Sequence, residues 1–488
     1  MKLTQLIKNL GKYEIYSEIN DFKVKGISSH SKKIANNYIF VAIKGTNYDG
    51  NAFIDEALKN GAKAVITSSM ESAVKYCKGI NFIKIIDERK ALSDLAAGFY
   101  GNPSKGIKVI GITGTNGKTT ISYLLEALLQ KSGRRCAVIG TINCRFKNKI
   151  IDSKNTTPAA EDIQQMLFKI LKYGINYCLM EVSSHALDQG RISKVEFNSA
   201  IFTNLTQDHL DYHNTMEDYF QAKAKLFKNL DKQAVAIINN DDAYGRMLSG
   251  MTAAKIMTYG IYNTADVMAK EIKFGISGSE FVLKYESKEI KLNTPLVGLY
   301  NIYNILAAVC FCLKERIDLR VIARALEKFS NVPGRLEKID TGKDFSVFVD
   351  YAHTPEALNN VLGTLRQLCD RRIIVVFGCG GDRDKTKRPK MGQAATELAD
   401  YAIITNDNSR SESPEDIVND IKKGISRDNY CVVLDRKQAI EKSLSIASSG
   451  DIVLIAGKGH ENYQIINNQI SEFDDREVVR QCLKSIRY

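Results

Sequence analysis

The chain has 488 residues, enough for about three domains of roughly 100–200 residues each. A hydrophobic fraction of 44% and a charged fraction of 25% are those of an ordinary globular protein, and no apolar run approaches the ~18–20 residues of a membrane span. The formal charge of +12 is spread along the chain, so it predicts attraction for anionic substrates, with a nucleic-acid face as the weaker alternative.

The cysteines and the first residues indicate a cytoplasmic protein. Ten cysteines include no C-x-x-C pair, so we expect free thiols rather than disulfides or a zinc site. Residues 1–10 lack the apolar segment of a signal peptide.

Residues 1–105 predict a first α/β unit. Its predicted elements are a strand at 38–43, a turn at 45–50, a helix at 53–60 and a strand at 63–67. Asn102-Pro103 followed by Gly106 predicts a linker. Nothing in this unit indicates chemistry by itself.

A glycine-rich loop then joins a predicted strand to a predicted helix. The β-branched run at 108–112 leads into the sequence GITGTNGKT at 111–119. Apolar residues at 121, 124, 125 and 128 predict a helix that ends near Gly133. Strand, glycine loop, Lys-Thr and helix are the context of a phosphate-binding loop.

The loop predicts an ATP site. Its backbone N–H groups would surround phosphate oxygens, Lys118 would reach the outer phosphates, and the Thr119 hydroxyl would hold Mg²⁺. The spacing is a variant of G-x-x-x-x-G-K-[ST], because Ile112 occupies the position of the first glycine. The alternative is a glycine-rich turn with an exposed lysine.

Polar clusters follow two later apolar runs of the same unit. Residues 176–180 lead into EVSSH at 181–185, and residues 199–202 lead into TNLTQDH at 203–209. Since open α/β sheets bind ligands beyond the carboxyl ends of their strands, these clusters predict one crevice. Glu181 and His209 could complete a Mg²⁺ shell there, although Mg²⁺ prefers oxygen ligands to histidine. Each could instead be an ordinary loop residue.

Further along, Asn301 and Asn304 precede a predicted apolar helix at 305–312, where they either cap that helix or contact the adenine. Beyond residues 332–335, four strands at 347–349, 373–377, 401–405 and 452–456 each enter a polar loop. This doubly wound pattern has no phosphate loop of its own. It predicts a substrate-binding domain.

Taken together, these motifs resemble the Mur ligase family across the whole chain. The matching segments are GTNGKT at 114–119, NTTP at 155–158, EVSSH at 181–185, DH at 208–209, GLYNIYN at 298–304, PGR at 333–335, DYAHTP at 350–355 and GKGHE at 457–461. The chain is most similar to the members that add the third amino acid of the peptidoglycan precursor. The resemblance implies an α/β fold of three domains: a UDP-binding domain (1–105), a central phosphate-loop mononucleotide-binding sheet (106–332) and a C-terminal Rossmann-like amino-acid-binding domain (333–488).

The resemblance also implies the ATP and metal ligands. The ATP contacts would be Gly114, Thr115, Asn116, Gly117, Lys118, Thr119, Thr120, Asn301, Arg335, Asp350 and His353. The catalytic residues would be Lys118, Lys223, Glu181 and His209, and the Mg²⁺ ligands Thr119, Glu181, His209 and Lys223. Lys223 would be a carbamate, whose anionic oxygens suit a second Mg²⁺. Without the family, Lys223 is interpreted as a solvated helix lysine.

Two further sets of contacts are implied for the other substrates. UDP-MurNAc-L-Ala-D-Glu would contact Ser31, Thr46, Asn47, Tyr48, Asn155, Thr156, Thr157, Ser183, Gln189 and Arg191. The family's Asp-Ser-Arg triplet reads His30-Ser31-Lys32 here, which retains the serine alone. The amino-acid substrate would contact Arg383, Asp407, Asn408, Ser409, Arg410, Gly457 and Glu461.

Arg410 carries the choice of amino acid. The family's meso-diaminopimelate ligases have Asp-Asn-Pro-Arg where lysine ligases lack the arginine, and this chain has Asp407-Asn408-Ser409-Arg410. Diaminopimelate differs from lysine by one carboxylate, for which the planar guanidinium fork is suited. Ser409 replaces the usual proline.

The implied reaction is an ATP-dependent amide ligation in peptidoglycan synthesis, and so in cell-wall biogenesis, cell shape and cell division. The D-Glu γ-carboxylate attacks the ATP γ-phosphate, and the diaminopimelate amine then displaces phosphate from the acyl phosphate. Closure of the third domain would exclude water. Alternatives are the same reaction with L-lysine, a folylpolyglutamate synthetase-like ligase, or a nucleotide-switch binding module. We expect a monomer with no nucleic-acid or membrane partner.

Overall fold

The computed structural model describes residues 1–45, 48–69, 71–72, 75, 80–153 and 155–485. Their contacts form two compact units. The first contains Met1–Thr206 and His213–Thr258, and the second contains Gln207–Tyr212 and Tyr259–Tyr488. None of the described helices is long and apolar enough to cross a membrane.

The strands, numbered in chain order, are β1 Tyr13–Ile15, β2 Gly26–Ser28, β3 Tyr38–Val41, β4 Ala62–Thr67, β5 Asn81–Ile85, β6 Lys108–Thr113, β7 Cys136–Ile139, β8 Asn143–Phe146, β9 Lys149–Asp152, β10 Tyr177–Glu181, β11 Ser199–Phe202, β12 Val235–Asn239, β13 Lys255–Gly260, β14 Val267–Gly275, β15 Gly278–Tyr285, β16 Lys288–Thr294, β17 Glu337–Ile339, β18 Ser346–Asp350, β19 Ile373–Phe377, β20 Tyr401–Ile404, β21 Tyr430–Val432, β22 Ile452–Ala456, β23 Tyr463–Ile466 and β24 Gln469–Glu472.

The α-helices are α1 Leu3–Leu6, α2 Ile54–Lys59, α3 Glu88–Phe99, α4 Lys118–Lys131, α5 Ala160–Lys172, α6 Ser184–Asp188, α7 Leu210–His213, α8 Met216–Lys228, α9 Ala243–Ser249, α10 Leu299–Lys314, α11 Leu319–Glu327, α12 Pro355–Arg366, α13 Lys387–Leu398, α14 Pro414–Lys422, α15 Arg436–Ser445 and α16 Asp475–Ser485. Short 3₁₀ helices occur at Ile7–Asn9, Ser31–Lys33, Gly50–Phe53 and Pro103–Gly106.

Two sheets form the first unit. The N-terminal sheet has the order β1-β5-β4-β3-β2 and is parallel except where β1 meets β5. In the other sheet, β12-β11-β6-β10-β7 run parallel and β8 and β9 continue antiparallel. The sequence 109–113 of β6 is buried throughout, as expected for a parallel strand covered on both faces.

The predicted phosphate-loop context is confirmed in this second sheet. β6 is the middle one of its five parallel strands β12-β11-β6-β10-β7, and α4 buries the apolar residues at 121, 124, 125 and 128. Helix α4 ends at Lys131, and Gly133 follows with φ +77°, the left-handed conformation common after a helix end. In register, Ile112 of β6 lies beside Glu181 of β10. The loops that follow these strands therefore leave one edge of the sheet.

The predicted linker at residues 102–106 has local structure of its own. Pro103–Gly106 is a 3₁₀ helix whose Pro103 and Ser104 are buried. The chain after β2 also contacts helix α5, because Ser29 donates to Glu161 Oε1 from its N (3.1 Å) and its Oγ (3.0 Å). Residues 1–105 thus pack into the same compact unit as the phosphate loop.

The second unit is centred on a sheet of order β17-β18-β22-β19-β20-β21, parallel except where β17 meets β18. Both faces are covered. Ile373, Val375 and Phe377 of β19 pack into one apolar core, and Ile374 and Val376 pack into the other. The four polar loops predicted after β18, β19, β20 and β22 leave the same edge, because these strands are neighbours and parallel.

Asn301 and Asn304 lie inside a helix rather than before it. Helix α10 begins at Leu299, with Gly298 as its N-cap at φ +96°. Both asparagines are buried; Asn301 Nδ2 donates to Val297 O (2.8 Å) and Asn304 Nδ2 donates to Asn301 Oδ1 (3.2 Å). The capping alternative is therefore wrong, since the N-cap position belongs to the glycine.

Candidate functional site

The phosphate loop joins β6 to the N-terminus of α4. Its N-cap is Gly117, with φ +89°, and within the described residues no side chain caps the helix. The first-turn N–H groups of an α-helix have no intrahelical acceptor, and the helix dipole adds partial positive charge there. The N-terminus of α4 can therefore receive an anion such as phosphate.

The chain after β11 fixes the loop. Asn204 accepts from Thr115 N at its carbonyl (2.9 Å) and from Asn116 N at Oδ1 (3.0 Å), and Thr203 Oγ1 donates to Asn116 O (2.6 Å). The N–H groups of Thr115 and Asn116 are thus already bonded. Donors for a phosphate would come from the first turn of α4, at Lys118, Thr119 and Thr120.

Gly114 is constrained by the same strand end. Its φ is +147°, and a Cβ built on it would lie 1.8 Å from Thr203 Oγ1. We expect Gly114→Ala to destabilise the protein by about 1–3 kcal/mol through strain and overpacking, and to abolish ATP-dependent turnover. Urea unfolding and initial rates measure the two effects.

Gly133→Ala is the matched control for this prediction. Gly133 also has positive φ, +77°, but nothing lies within 4 Å of an added Cβ. It should show a smaller loss of stability and keep its activity. Equal unfolding midpoints for the two variants would show that the contact with Thr203 does not matter.

Two lysine side chains converge on one carbonyl of the loop. Lys118 Nζ donates to Gly114 O (2.9 Å) and Thr115 O (2.7 Å), and Lys223 Nζ donates to Gly114 O (2.9 Å). Lys223 is 1% exposed on α8, so its interpretation as a solvated lysine is wrong. Tyr219 and Phe227, four residues to either side of Lys223, are also buried, so this spacing indicates a buried position but not the contact with Gly114.

Glu181, at the end of β10, accepts hydrogen bonds from two threonine hydroxyls. Its Oε2 accepts from Thr119 Oγ1 (2.9 Å) and from Thr141 Oγ1 (2.8 Å), and Glu181 and Thr119 are both buried. A cation that prefers oxygen and keeps several waters fits this Thr-Glu pair. Among the described residues, no group of three or more His, Cys, Asp or Glu side chains could hold a metal by itself. Phosphate and water would have to complete the shell.

His209 ends the polar cluster that begins at the end of β11. It lies in the Gln207–Tyr212 segment of the second unit, with φ +55°, and its side chain is 44% exposed. Its N donates to Asp208 Oδ1 (2.8 Å). The role of His209 as a Mg²⁺ ligand stays a prediction.

Several residues predicted for the sugar-peptide substrate form one network in the first unit. Thr157 Oγ1 donates to Glu181 O (2.9 Å) and accepts from Ser183 N (3.0 Å). Arg191 donates to Thr157 O from Nη1 (2.9 Å) and to Gln189 Oε1 from Nη2 (2.6 Å). Beside this network, the hydroxyl oxygens of Thr156 and Thr141 lie 3.1 Å apart. Thr157 therefore couples the substrate residues to the strand that carries Glu181.

Three other described residues of that set lie outside this hydrogen-bond network. Ser31 is buried and donates to Glu56, Tyr48 is 76% exposed, and Asn155 is exposed. Thr46 and Asn47 lie outside the described residues.

In the second unit, three side chains from two loops are hydrogen bonded. Asn408 Nδ2 donates to Glu461 Oε2 (2.8 Å), and Lys458 Nζ donates to Asn408 Oδ1 (3.1 Å) and Glu461 Oε2 (3.1 Å). Lys458 is fully buried. The structure thus brings Asn408 and Glu461 together as predicted, with a buried cation that the predicted site did not include.

Asp407 and Gly457 also meet at this point. Gly457 has φ +114°, and a Cβ on it would lie 2.7 Å from Asp407 Oδ2. Burial acts to raise the pKa of Asp407, but the charges of Lys458 and Arg436 outweigh it and the pKa is lowered. Asp407 is therefore an anion able to receive an ammonium group.

Arg410 is held beside the loop that follows β19. It has φ +55°, and its Nη1 donates to Gly381 O (2.7 Å) and Asn408 O (3.3 Å). Ser409 is fully buried, whereas Arg383 is exposed and donates to Asp382 O (3.1 Å). The guanidinium of Arg410 thus bonds backbone carbonyls and keeps its charge available for a carboxylate.

A second cluster of the unit contains the residues predicted on the ATP side. Arg335 stacks on Tyr351, with its guanidinium carbon 4.6 Å from the ring centroid, and His353 Nδ1 lies 2.8 Å from Tyr351 O. Asp350 accepts from Leu336 N (2.6 Å). Burial raises the pKa of Asp350, against the opposing charge of Arg335. Burial also lowers the pKa of His353, so this histidine favours its neutral form.

Sequence reasoning missed residues that act on other site residues. Thr203 and Asn204 were predicted only as members of a polar cluster. Neither the contact of Thr141 with Glu181 nor the hydrogen bonds of Lys458 were predicted. None belongs to a local pattern that indicates its contacts. A lysine between two glycines at a strand end, as in Gly457-Lys458-Gly459, was the one available signal.

Three family models match the chain in succession. They are described as "Mur ligase family, catalytic domain" over residues 23–100, "Mur ligase middle domain" over residues 112–312 and "Mur ligase, glutamate ligase domain" over residues 334–459. The α/β fold predicted from the sequence agrees with this architecture.

Two full-length relatives share one name. A protein of Clostridium botulinum (strain ATCC 19397 / Type A), "UDP-N-acetylmuramoyl-L-alanyl-D-glutamate--2,6-diaminopimelate ligase", is 44% identical over 490 residues, covering 100% of both chains. A protein of Clostridium tetani (strain Massachusetts / E88) with the same name is 41% identical over 488 residues, also covering 100% of both. A solved structure of a ligase so named has 35% identity, a TM-score of 0.69 and 98% coverage of each chain. The chain belongs to the Mur ligase family.

Proposed function

We propose that this chain is an ATP-dependent ligase that joins meso-diaminopimelate to the D-Glu γ-carboxylate of UDP-MurNAc-L-Ala-D-Glu. The observation that carries the proposal is the pairing of an anionic site, formed by Asp407 and Glu461, with the guanidinium of Arg410 in one loop cluster. An amino acid has an ammonium and a carboxylate on the same carbon. The carboxylates of Asp407 and Glu461 are complementary to the ammonium, and the guanidinium of Arg410 is complementary to the carboxylate.

Arg410 favours diaminopimelate over L-lysine. The two amino acids share one such carbon, and only diaminopimelate has a second. A hydrogen bond to a charged group contributes about 1.5–3 kcal/mol, and with lysine Arg410 would have no substrate carboxylate at that end. The names of the full-length relatives support the same choice.

In the first unit, the phosphate loop supports ATP as the phosphoryl donor. Lys118 neutralises charge on the transferring phosphoryl group, and the N-terminus of α4 binds its oxygens. A carboxylate is a poor electrophile, so its phosphorylation creates a leaving group. The γ-carboxylate oxygen bonds to the γ-phosphorus while the bond to ADP breaks. The amine then attacks the acyl carbon, inorganic phosphate leaves and a proton is lost from the nitrogen.

Thr119 and Glu181 are the residues that would hold Mg²⁺ there, with His209 as a proposed further ligand. Bound Mg²⁺ supplies positive charge to the phosphate oxygens. Lys223, whose Nζ donates to Gly114 O (2.9 Å), is the proposed site of carbamylation. Its burial supports this, because an ammonium removed from water is costly and a carbamate can bind a metal instead.

The domain limits remain proposals at 1–105, 106–332 and 333–488, each containing the centre of one sheet. We also propose that the protein is a monomer in the cytoplasm. There it would use ATP and the nucleotide-linked precursor as substrates in cell-wall synthesis.

One assay tests the function. The protein is incubated with UDP-MurNAc-L-Ala-D-Glu, ATP and Mg²⁺, together with meso-diaminopimelate, L-lysine or neither, and the products are read by mass. We expect the tripeptide to form when diaminopimelate is present. One ADP and one phosphate should be released for each tripeptide formed. Preference for lysine would overturn the amino-acid assignment. Glutamylation of a folate with no muramyl product would favour the folylpolyglutamate alternative, and ATP hydrolysis without ligation would favour a nucleotide switch.

A further inference from the structure

Lys458 is a buried cation at the centre of the amino-acid cluster. Its side chain has 0% exposure, and its Nζ lies 3.1 Å from both Asn408 Oδ1 and Glu461 Oε2. The ring of Tyr463 covers it, with the centroid 5.4 Å from Nζ. A buried ammonium with this set of acceptors leaves little room for a substrate atom to touch it.

Lys458 fixes the orientation of the Asn408 amide. An ammonium can only donate, so it must face the amide oxygen. Oδ1 also accepts from Ile465 N (3.0 Å), and Nδ2 is thereby turned to Glu461 Oε2 (2.8 Å). If the amide were reversed, its NH₂ group would face the donors Lys458 Nζ and Ile465 N, and its oxygen would face the acceptor Glu461 Oε2.

Lys458 also offsets the negative charge of its neighbours. Burial raises the pKa of Glu461, Asp407 raises it further, and Lys458 acts to lower it. Glu461 also interacts electrostatically with Arg436, Tyr351 and Tyr463. Removing Lys458 would leave two carboxyl groups close together, so Glu461 would take up a proton at a higher pH.

We propose that Lys458 is a positioning residue that keeps Asn408 oriented and Glu461 ionised to receive an ammonium group of the amino-acid substrate, without contacting that substrate itself. The proposal rests on the proposed function. It differs from a purely structural lysine in being specific to one of the three substrates.

Lys458→Met tests it, with Lys442→Met as control because Lys442 is an exposed lysine of the same unit. We expect KM for diaminopimelate to rise about 10- to 100-fold, while KM for ATP and for the UDP-linked dipeptide stay within about twofold of wild type. The acid limb of kcat/KM for diaminopimelate should move to higher pH. Activity needs ionised Glu461, so it is lost as pH falls through the raised pKa. Lys458→Arg should recover part of the loss, and Lys442→Met should resemble wild type.

A double-mutant cycle tests whether Lys458 acts through Glu461. Glu461→Gln cannot ionise, so adding Lys458→Met to it should cost much less than Lys458→Met costs alone. Full additivity, an unmoved acid limb or an equal rise in all three KM values would overturn the proposal. If Lys458→Met does not fold, Lys458→Gln takes its place, and failure of both to fold would replace positioning by a role in the fold. A wild-type enzyme that makes no tripeptide from diaminopimelate would instead refute the proposed function.

Discussion

Lys118→Met should lower kcat by about 10²–10³-fold, the loss typical of removing one preorganised electrostatic contact to a transition state. Lys118 Nζ lies 2.9 Å from Gly114 O and 2.7 Å from Thr115 O, so its charge is held over the phosphate loop. Phosphoryl transfer places charge on the equatorial oxygens, and methionine fills similar space without neutralising that charge. ADP release under saturating substrates measures kcat.

The matched control lies at the other end of the same helix. Lys131→Met removes an exposed lysine in the last turn of α4 and should change kcat by less than about twofold. Thermal unfolding of both variants separates a folding defect from a catalytic one. Equal kcat for Lys118→Met and Lys131→Met would remove the phosphate loop from the mechanism.

Arg410→Ala should lower kcat/KM for meso-diaminopimelate by about 10- to 100-fold, corresponding to the loss of a charge-assisted bond of roughly 1.5–3 kcal/mol. ATP binding, measured by calorimetry, should be unchanged. kcat/KM for L-lysine should fall less, because lysine has no carboxylate for the arginine to bind. The discrimination between the two amino acids is thus the decisive quantity.

Two control variants distinguish the guanidinium of Arg410 from its charge alone and from an unrelated arginine. Arg410→Lys keeps the charge but loses bidentate geometry, and should recover only part of the activity. Arg324→Ala removes an exposed arginine of α11 and should match wild type. Alanine at position 410 keeps a Cβ at φ +55°, so backbone strain is the same in both proteins. Parallel losses for diaminopimelate and lysine would contradict the specificity argument.

The order of strands and helices was largely predictable. Buried parallel strands such as β19 and β22 are continuous apolar runs, and α4 has its stripe at helical spacing, so these elements were identified with nearly correct limits. The structure differs from the predicted elements where a local signal competes with packing. A 3₁₀ helix lies within the predicted linker at residues 102–106, and helix α10 begins six residues before its predicted start because Gly298 is its N-cap.

The site also contains residues that the sequence predicts from a local motif and residues that only long-range packing places. The glycine loop with Lys118 and Thr119 is contiguous in sequence, and its function follows from backbone N–H groups and one helix end. Lys223 is different: 109 residues separate it from Gly114, and the sequence interpretation was a solvated lysine. Packing of α8 buries that lysine, and this long-range contact has no local signature.

By itself, the sequence determined the alternation of strands and helices, the phosphate loop and the polar loops at strand ends, because periodicity and turn chemistry act between near neighbours. Only the tertiary structure decided that Thr203 and Asn204 fix the loop, that Lys223 is buried against it and that Lys458 lies between Asn408 and Glu461. Those outcomes depend on which strands become neighbours, and strand order is set by burial and hydrogen bonding summed over each sheet.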